Sequence, residues 1–365
     1  MIRHLLLLAL ALPLVAADAV ALDGPATSPS AQDGNGAETP APTDAAGPRP
    51  GELPADATPS AVATWRAMVA AIGAAEQTAP ITSFDMSLSL LTRSGRRGLD
   101  PHPETHDVDT RVQYLAPPFV RYSLSADVET GYGPSGYWLK DKDEVRSLRG
   151  RDYQTDREQV MQVRSLCVNF LAVSDPSQLR IASLVEFPRC PIRGLPERPG
   201  FDFKRMKWLR IVTPDFQLVE ELQPKVTDTN AGHQGAMYQV FFGLDEQTNL
   251  PRCAHVVRLP AKRTAPTDGS ADGADASAPP PDPDMPFEQL ILLDDWRASA
   301  GASQSKERLP HRLLVWERLP QHPLFANFLA EPDREVYVKD GSSLRPSFTP
   351  TDFEPIPPGA DQVDR

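Results

Sequence analysis

Between about residues 80 and 340, apolar side chains recur at every second position in short runs, which confines the chain to antiparallel strands with one apolar face. Phe84, Met86, Leu88 and Leu90 alternate with Asp85, Ser87 and Ser89. Similar runs follow at 109–115, 119–126, 136–140, 203–212, 237–242, 254–259, 288–294, 313–318 and 335–339, with turn residues between them. Helical spacing marks two other stretches. Val62, Trp65, Met68, Val69 and Ile72 make one stripe in a helix predicted over about 61–77, with Ser60 as its N-cap. Val160, Val163, Cys167 and Phe170, with Leu166 and Leu171, make a second over 157–173, which Ser174-Asp175-Pro176 ends. Helices near the start and middle with strands elsewhere predict an α+β fold on an antiparallel sheet, not alternating βαβ units.

Two stretches cannot contribute to such a core. Residues 22–60 are rich in Pro, Ala, Gly, Asp and Thr, and residues 261–286 include Pro279-Pro280-Pro281. Neither can bury enough apolar surface to offset the entropy of ordering, so a disordered leader and a mobile insertion are expected. Ahead of the leader, residues 1–21 read as an export signal, with Arg3 and His4, an uncharged apolar run, and the small-residue pattern Ala19-Val20-Ala21. That run is shorter than the roughly 20 residues that span a bilayer. The first cysteine is Cys167, so no cysteine stands at the cleavage point to carry a lipid anchor. The expected organisation is a signal at 1–21, the leader, a folded domain at 61–358 and a tail at 359–365.

The net charge of −12 and the lack of a basic stripe argue against nucleic acid. With three cysteines at most one intramolecular disulfide can form. Cys190 and Cys253, both in Pro-Arg-Cys contexts, are the favoured pair of the three possible, and Cys167 reads as a buried small hydrophobe. His102 and His106 lie among carboxylates at 100–107, but prolines mark this as a solvated loop, and no metal or cofactor is expected. Neighbouring carboxylates at Glu220-Glu221 and Asp294-Asp295 point to opposite strand faces, which disfavours paired acid and base work. Cys253 and His255 share a strand face without a nucleophile motif. Trp138, Trp208, Trp296 and Trp316 fall in strand runs and read as core or rim residues.

In their order along the chain, these elements resemble the LolA/LolB-type lipoprotein carrier superfamily. A helix followed at once by an amphipathic strand covers 61–91. The strand–proline–aromatic–strand landmark is similar to Val112-Gln113-Tyr114-Leu115-Ala116-Pro117-Pro118-Phe119-Val120-Arg121-Tyr122, and a glycine with an aromatic strand is similar to Gly136-Tyr137-Trp138-Leu139-Lys140-Asp141. Phe348-Thr349-Pro350 and Pro357-Pro358-Gly359-Ala360 resemble the closing strand and tail. One position departs: the family's arginine before the landmark proline is Ala116 here.

The resemblance implies a non-catalytic, monomeric periplasmic protein with an incomplete antiparallel β-barrel closed by helices over an apolar cavity. It implies the acyl chain of a lipid or lipoprotein as ligand and envelope membrane proteins as further partners. The cavity walls would then be Phe84, Met86, Leu88, Leu90, Val120, Tyr122 and Leu124, roofed by Val163, Leu166 and Phe170. The same residues can equally pack as a solid core, which would leave an exported β-rich adaptor for a protein or envelope polymer.

Overall fold

The structure, a computed structural model, describes residues 48–74, 79–93, 105–116, 118–125, 127–150, 153–216, 237–259, 288–299, 307–318 and 327–355. The export signal at 1–21, most of the leader, the insertion at 261–286, His102 and the tail at 359–365 lie outside them.

The first helix, α1 (Pro59–Ile72), starts two residues before the predicted position. Thr58, not Ser60, caps it: its hydroxyl accepts from the Ala61 amide at 3.3 Å, and Pro59 supplies a preset φ at the first turn. Gly73, at φ 87°, ends it in the left-handed region that glycine enters without a Cβ clash. Ala61, Trp65, Met68, Val69 and Ile72 form its buried face. The described end of the leader is docked, because Leu53 and Ala57 pack on this core and the Gly51 amide donates to the Leu179 carbonyl at 3.2 Å.

Among the described residues, fourteen strands form one antiparallel sheet. A first meander runs β1 (Ser83–Arg93), β2 (Thr105–Leu115), β3 (Phe119–Ser123), β4 (Val128–Gly133), β5 (Gly136–Asp141) and β6 (Glu144–Ser147). The second helix, α2 (Gln154–Ser174), then carries the chain to the far edge. There a second meander runs back through β7 (Ser183–Phe187), β8 (Lys207–Thr213), β9 (Tyr238–Leu244), β10 (Pro251–Arg258), β11 (Glu288–Ala298), β12 (Arg308–Arg318) and β13 (Arg334–Val338). Antiparallel pairing of β13 with β1 makes one sheet of the two, and the short β14 (Ser343–Leu344) pairs with the other end of β1. The edges of the strand order, β6 and β7, are not paired with one another, so the sheet is open and not a barrel. The C-terminal Phe348 region, expected as a strand, is a turn in which Thr349 and Asp352 form a capping box.

Strand alternation and register decide where the cores sit. Both helices lie on one face. There α1 covers Leu209, Ile211, Val240, Phe242, Ala254 and Ile291, while α2 covers Phe84, Met86, Val112, Val120 and Tyr122. The opposite face carries a third apolar cluster in the second meander, with Trp208, Cys253, Leu290, Leu292, Leu314 and Trp316 beneath the loop from β7 to β8. In the first meander that face is mostly polar, with Arg111 bidentate on Asp85 at 2.8 and 2.6 Å.

The end of α2 is tied to the start of β1 by one buried carboxylate. Asp175 accepts the Ile81 amide at 3.0 Å and the Ser177 hydroxyl at 2.6 Å. Asp175→Ala leaves that buried amide unpaired and is expected to lower unfolding free energy by about 1–3 kcal/mol in urea denaturation. Gly131 is a second sensitive point, since a Cβ there would sit 2.5 Å from the Val120 carbonyl oxygen and 2.7 Å from the Trp138 ring. Gly131→Ala is expected to destabilise by about 1–3 kcal/mol through overpacking, read as a lower midpoint with an unchanged m-value.

Candidate functional site

The ten residues expected to line a cavity divide into three groups. Phe84, Met86, Val120, Tyr122, Val163 and Phe170 are closed off, with 8% exposure or less. A hollow large enough for water would leave accessible area on its walls, so the protein's own side chains fill this part of the helix face. Phe84 stacks on Tyr114 with ring centroids 5.1 Å apart and meets Phe170 edge-on at 5.5 Å. Burial pushes the Tyr122 hydroxyl up to about 12. Leu166, the expected roof, lies to the side of the α2 stripe and packs into none of the three apolar clusters of described residues.

The third group, Leu88, Leu90 and Leu124, is half-buried at the fringe of the α2 core. Register adds neighbours that sequence reasoning missed. Leu90 stands opposite Val336 on one side and Val108 on the other, and Val336 stands opposite Leu313. All three neighbours are half-buried. Leu313, Val336, Leu90 and Val108 thus form an apolar row across four strands, about 14 Å long at the usual strand spacing. Leu88 and Leu124 widen it toward the core under α2.

One end of this face is polar. Arg334 is ion-paired with the buried Glu317 and, pushed down to about 10 by burial, keeps its charge at neutral pH. The amide nitrogen of Gln289 lies 3.5 Å from the same carboxylate. On the other side, Arg164 pins α2 to the sheet. Its guanidinium lies 4.2 Å from the Tyr132 ring centre and donates to the Tyr137 hydroxyl at 2.8 Å. Arg164 thereby holds α2 against β4 and β5.

On the opposite face, Cys190, Ile192, Leu195, Phe201 and Phe203 line a cleft of about 660 Å³ within the loop from β7 to β8. The expected Cys190–Cys253 disulfide is absent, and all three cysteines are free thiols. Cys253 is sealed on the second meander beneath the loop from β7 to β8, near Gly243, Met206 and Trp208, while Cys190 turns its thiol to the Ile192 carbonyl at 3.6 Å. Burial pushes the Cys167 and Cys253 thiols far up, the reverse of an activated nucleophile. His255 gives its Nε2 to Glu288, not to Cys253. Asp295, at φ 54°, interrupts the β11–β12 pairing without shifting its register, and Trp296 packs on the helix-face core, where its Nε1 donates to the Pro251 carbonyl at 3.0 Å. Among the described residues, no group of three His, Cys, Asp or Glu is placed to hold a metal, and no helix is long and apolar enough to cross a membrane.

No family model matches the chain, and no curated protein matches its sequence. Among solved structures, it is similar to one described as a putative outer membrane lipoprotein-sorting protein domain from Vibrio parahaemolyticus. The identity is 10% and the TM-score 0.31, over 80% of this chain and 97% of that one. A likeness at this level carries no argument about what the chain binds.

The thiol arrangement has a direct readout. A maleimide reagent at neutral pH is expected to modify Cys190 alone in the native protein and all three cysteines after denaturation. Native labelling of Cys253 would contradict the packing of the opposite face.

Proposed function

We propose that the protein is a non-catalytic binder of an acyl chain, exported to the periplasm, and that the chain lies along the half-covered row on the helix face. The observation that carries this reading is the alignment of Leu313, Val336, Leu90 and Val108 in one row, with Leu88 and Leu124 beside it. Six large aliphatic side chains left half-open on the face that both helices cover form a surface that an apolar ligand would shield from water. Each methylene buried there contributes roughly 0.8 kcal/mol, so a chain of lipid length reaches micromolar affinity without a polar contact. The charged Arg334–Glu317 pair bounds the row and would sit beyond the apolar part of the ligand. Export rests on the reading of residues 1–21.

The closed packing around Phe84 favours a second reading, an exported β-rich adaptor with no lipid ligand. A displacement assay with a fluorescent fatty acid separates the two. The carrier reading predicts that each two-carbon extension of the competitor tightens binding by roughly tenfold until the row is filled. It also predicts that Leu90→Asp abolishes binding while Leu166→Asp leaves it unchanged. Lack of any binding by the wild type, or equal effects of the two variants, would leave the adaptor.

A further inference from the structure

On the face opposite the helices, one charged cluster is sealed among apolar side chains. His255 of β10 lies 2.8 Å from Glu288 of β11 through Nε2. Burial alone would raise the Glu288 carboxyl, but hydrogen bonds and charge from His255 and Arg318 outweigh it and hold the group ionised. A carboxylate only accepts, so the imidazole proton sits on Nε2 and Nδ1 carries a lone pair. Nδ1 is buried and has no hydrogen-bond partner among the described residues. Phe241 stacks on the ring at 6.0 Å, and Phe328 meets it edge-on at 6.0 Å.

Arg318 of β12 grips the same carboxylate, with Nε at 2.7 Å and a terminal nitrogen at 2.5 Å. Its other terminal nitrogen donates to the Arg193 carbonyl at 2.9 Å, and its guanidinium lies 4.2 Å from the Phe328 ring centre. Arg193 belongs to the loop from β7 to β8 that forms the 660 Å³ cleft. Glu288 and Arg318 are the charged groups that face His255 from β11 and β12. The packed neighbour from β9 is Phe241 and that from the 327–333 segment is Phe328, while Cys253 and Val257 flank His255 on its own strand. Arg210 of β8 stands in the same cross-strand row, beyond Phe241.

One carboxylate therefore serves one cation. A proton on His255 would place two cations against one anion in a buried site and create an Nδ1–H with no acceptor. We propose that His255, Glu288 and Arg318 form an acid-sensitive clasp, which lets go of the loop from β7 to β8, and so opens its cleft, when His255 gains a proton.

The sign follows from the two states. Burial is the largest influence on His255 and holds its pKa below 6.5 despite the pull of Glu288. In the opened, hydrated state it returns toward the ordinary value of about 6.5, so the open form binds the proton more tightly. The closed loop is favoured above that pH and loses ground as pH falls through it, by at most about tenfold per unit for one proton.

Hydrogen exchange of the full chain, followed on peptides from 188–206 and corrected for the intrinsic rate at each pH, tests this. Between about pH 6.5 and about pH 5.5, opening of the loop in the wild type is expected to rise by up to about fivefold. In His255→Gln, neutral throughout, it is expected to stay constant. Unchanged wild-type protection, or the same pH dependence in His255→Gln, overturns the clasp. Should that variant fail to fold, NMR titration of the wild-type imidazole serves instead: a histidine midpoint that does not coincide with the loss of loop protection overturns it equally.

Discussion

The pairing of β1 with β13 is the contact on which the rest of the architecture depends. Each meander is built from neighbours in sequence, and only the register from Leu88–Val338 to Thr92–Arg334 makes them one sheet. The pairing brings together segments from the two ends of the domain, so its loop-closure entropy is larger than that of the hairpins. It also places β6 and β7 at opposite edges, and α2 must cross the helix face to connect them. That crossing lays Val160, Val163, Cys167 and Phe170 on Phe84, Val120 and Tyr122 and closes the first core.

The same seam creates the candidate site. Val336 comes from β13, Leu313 from β12, Leu90 from β1 and Val108 from β2, so the row exists only once the two meanders have joined. α1 lies over β7 and β8 and α2 over β3 and β4, which leaves the seam between them less covered than either flank. The opposite face differs between the meanders for a sequence reason. Residues 290–293 of β11 and 313–316 of β12 are continuous apolar runs, which bury both faces of a strand, whereas β1 alternates.

Much of this was legible in the chain. The stripes of α1 and α2 and the alternation of β1 follow from local spacing, and the structure places helices and strand there. Residues in β4 and β7 gave no usable pattern. In β4, Gly131 and Gly133 replace side chains that would mark a face, because the Trp138 ring and the Phe353 carbonyl occupy that space. The cap at Thr58 was hidden by Ser60, which has the right chemistry two residues too late.

The division of the ten predicted site residues could not be read from sequence at all. Phe84 and Leu90 belong to one alternating run, yet Phe84 meets Tyr114 and Phe170 while Leu90 meets Val108 and Val336. Which of them stays open depends on partners from other elements, as far along the chain as Val336, and local period carries no information about that. Leu166 fails for a simpler reason: successive residues turn by about 100° on a helix, which sets it beside the stripe of Val160, Val163 and Cys167.

Native mass spectrometry of the protein purified from its own compartment tests most directly whether the open row holds an acyl chain. A carrier retains an adduct whose released mass is that of a lipid or acylated peptide, and the adduct is lost when Leu90 is replaced by Asp. A bare polypeptide mass under gentle desolvation, in a preparation never exposed to detergent, would contradict the account and leave a β-sheet scaffold with no lipid ligand.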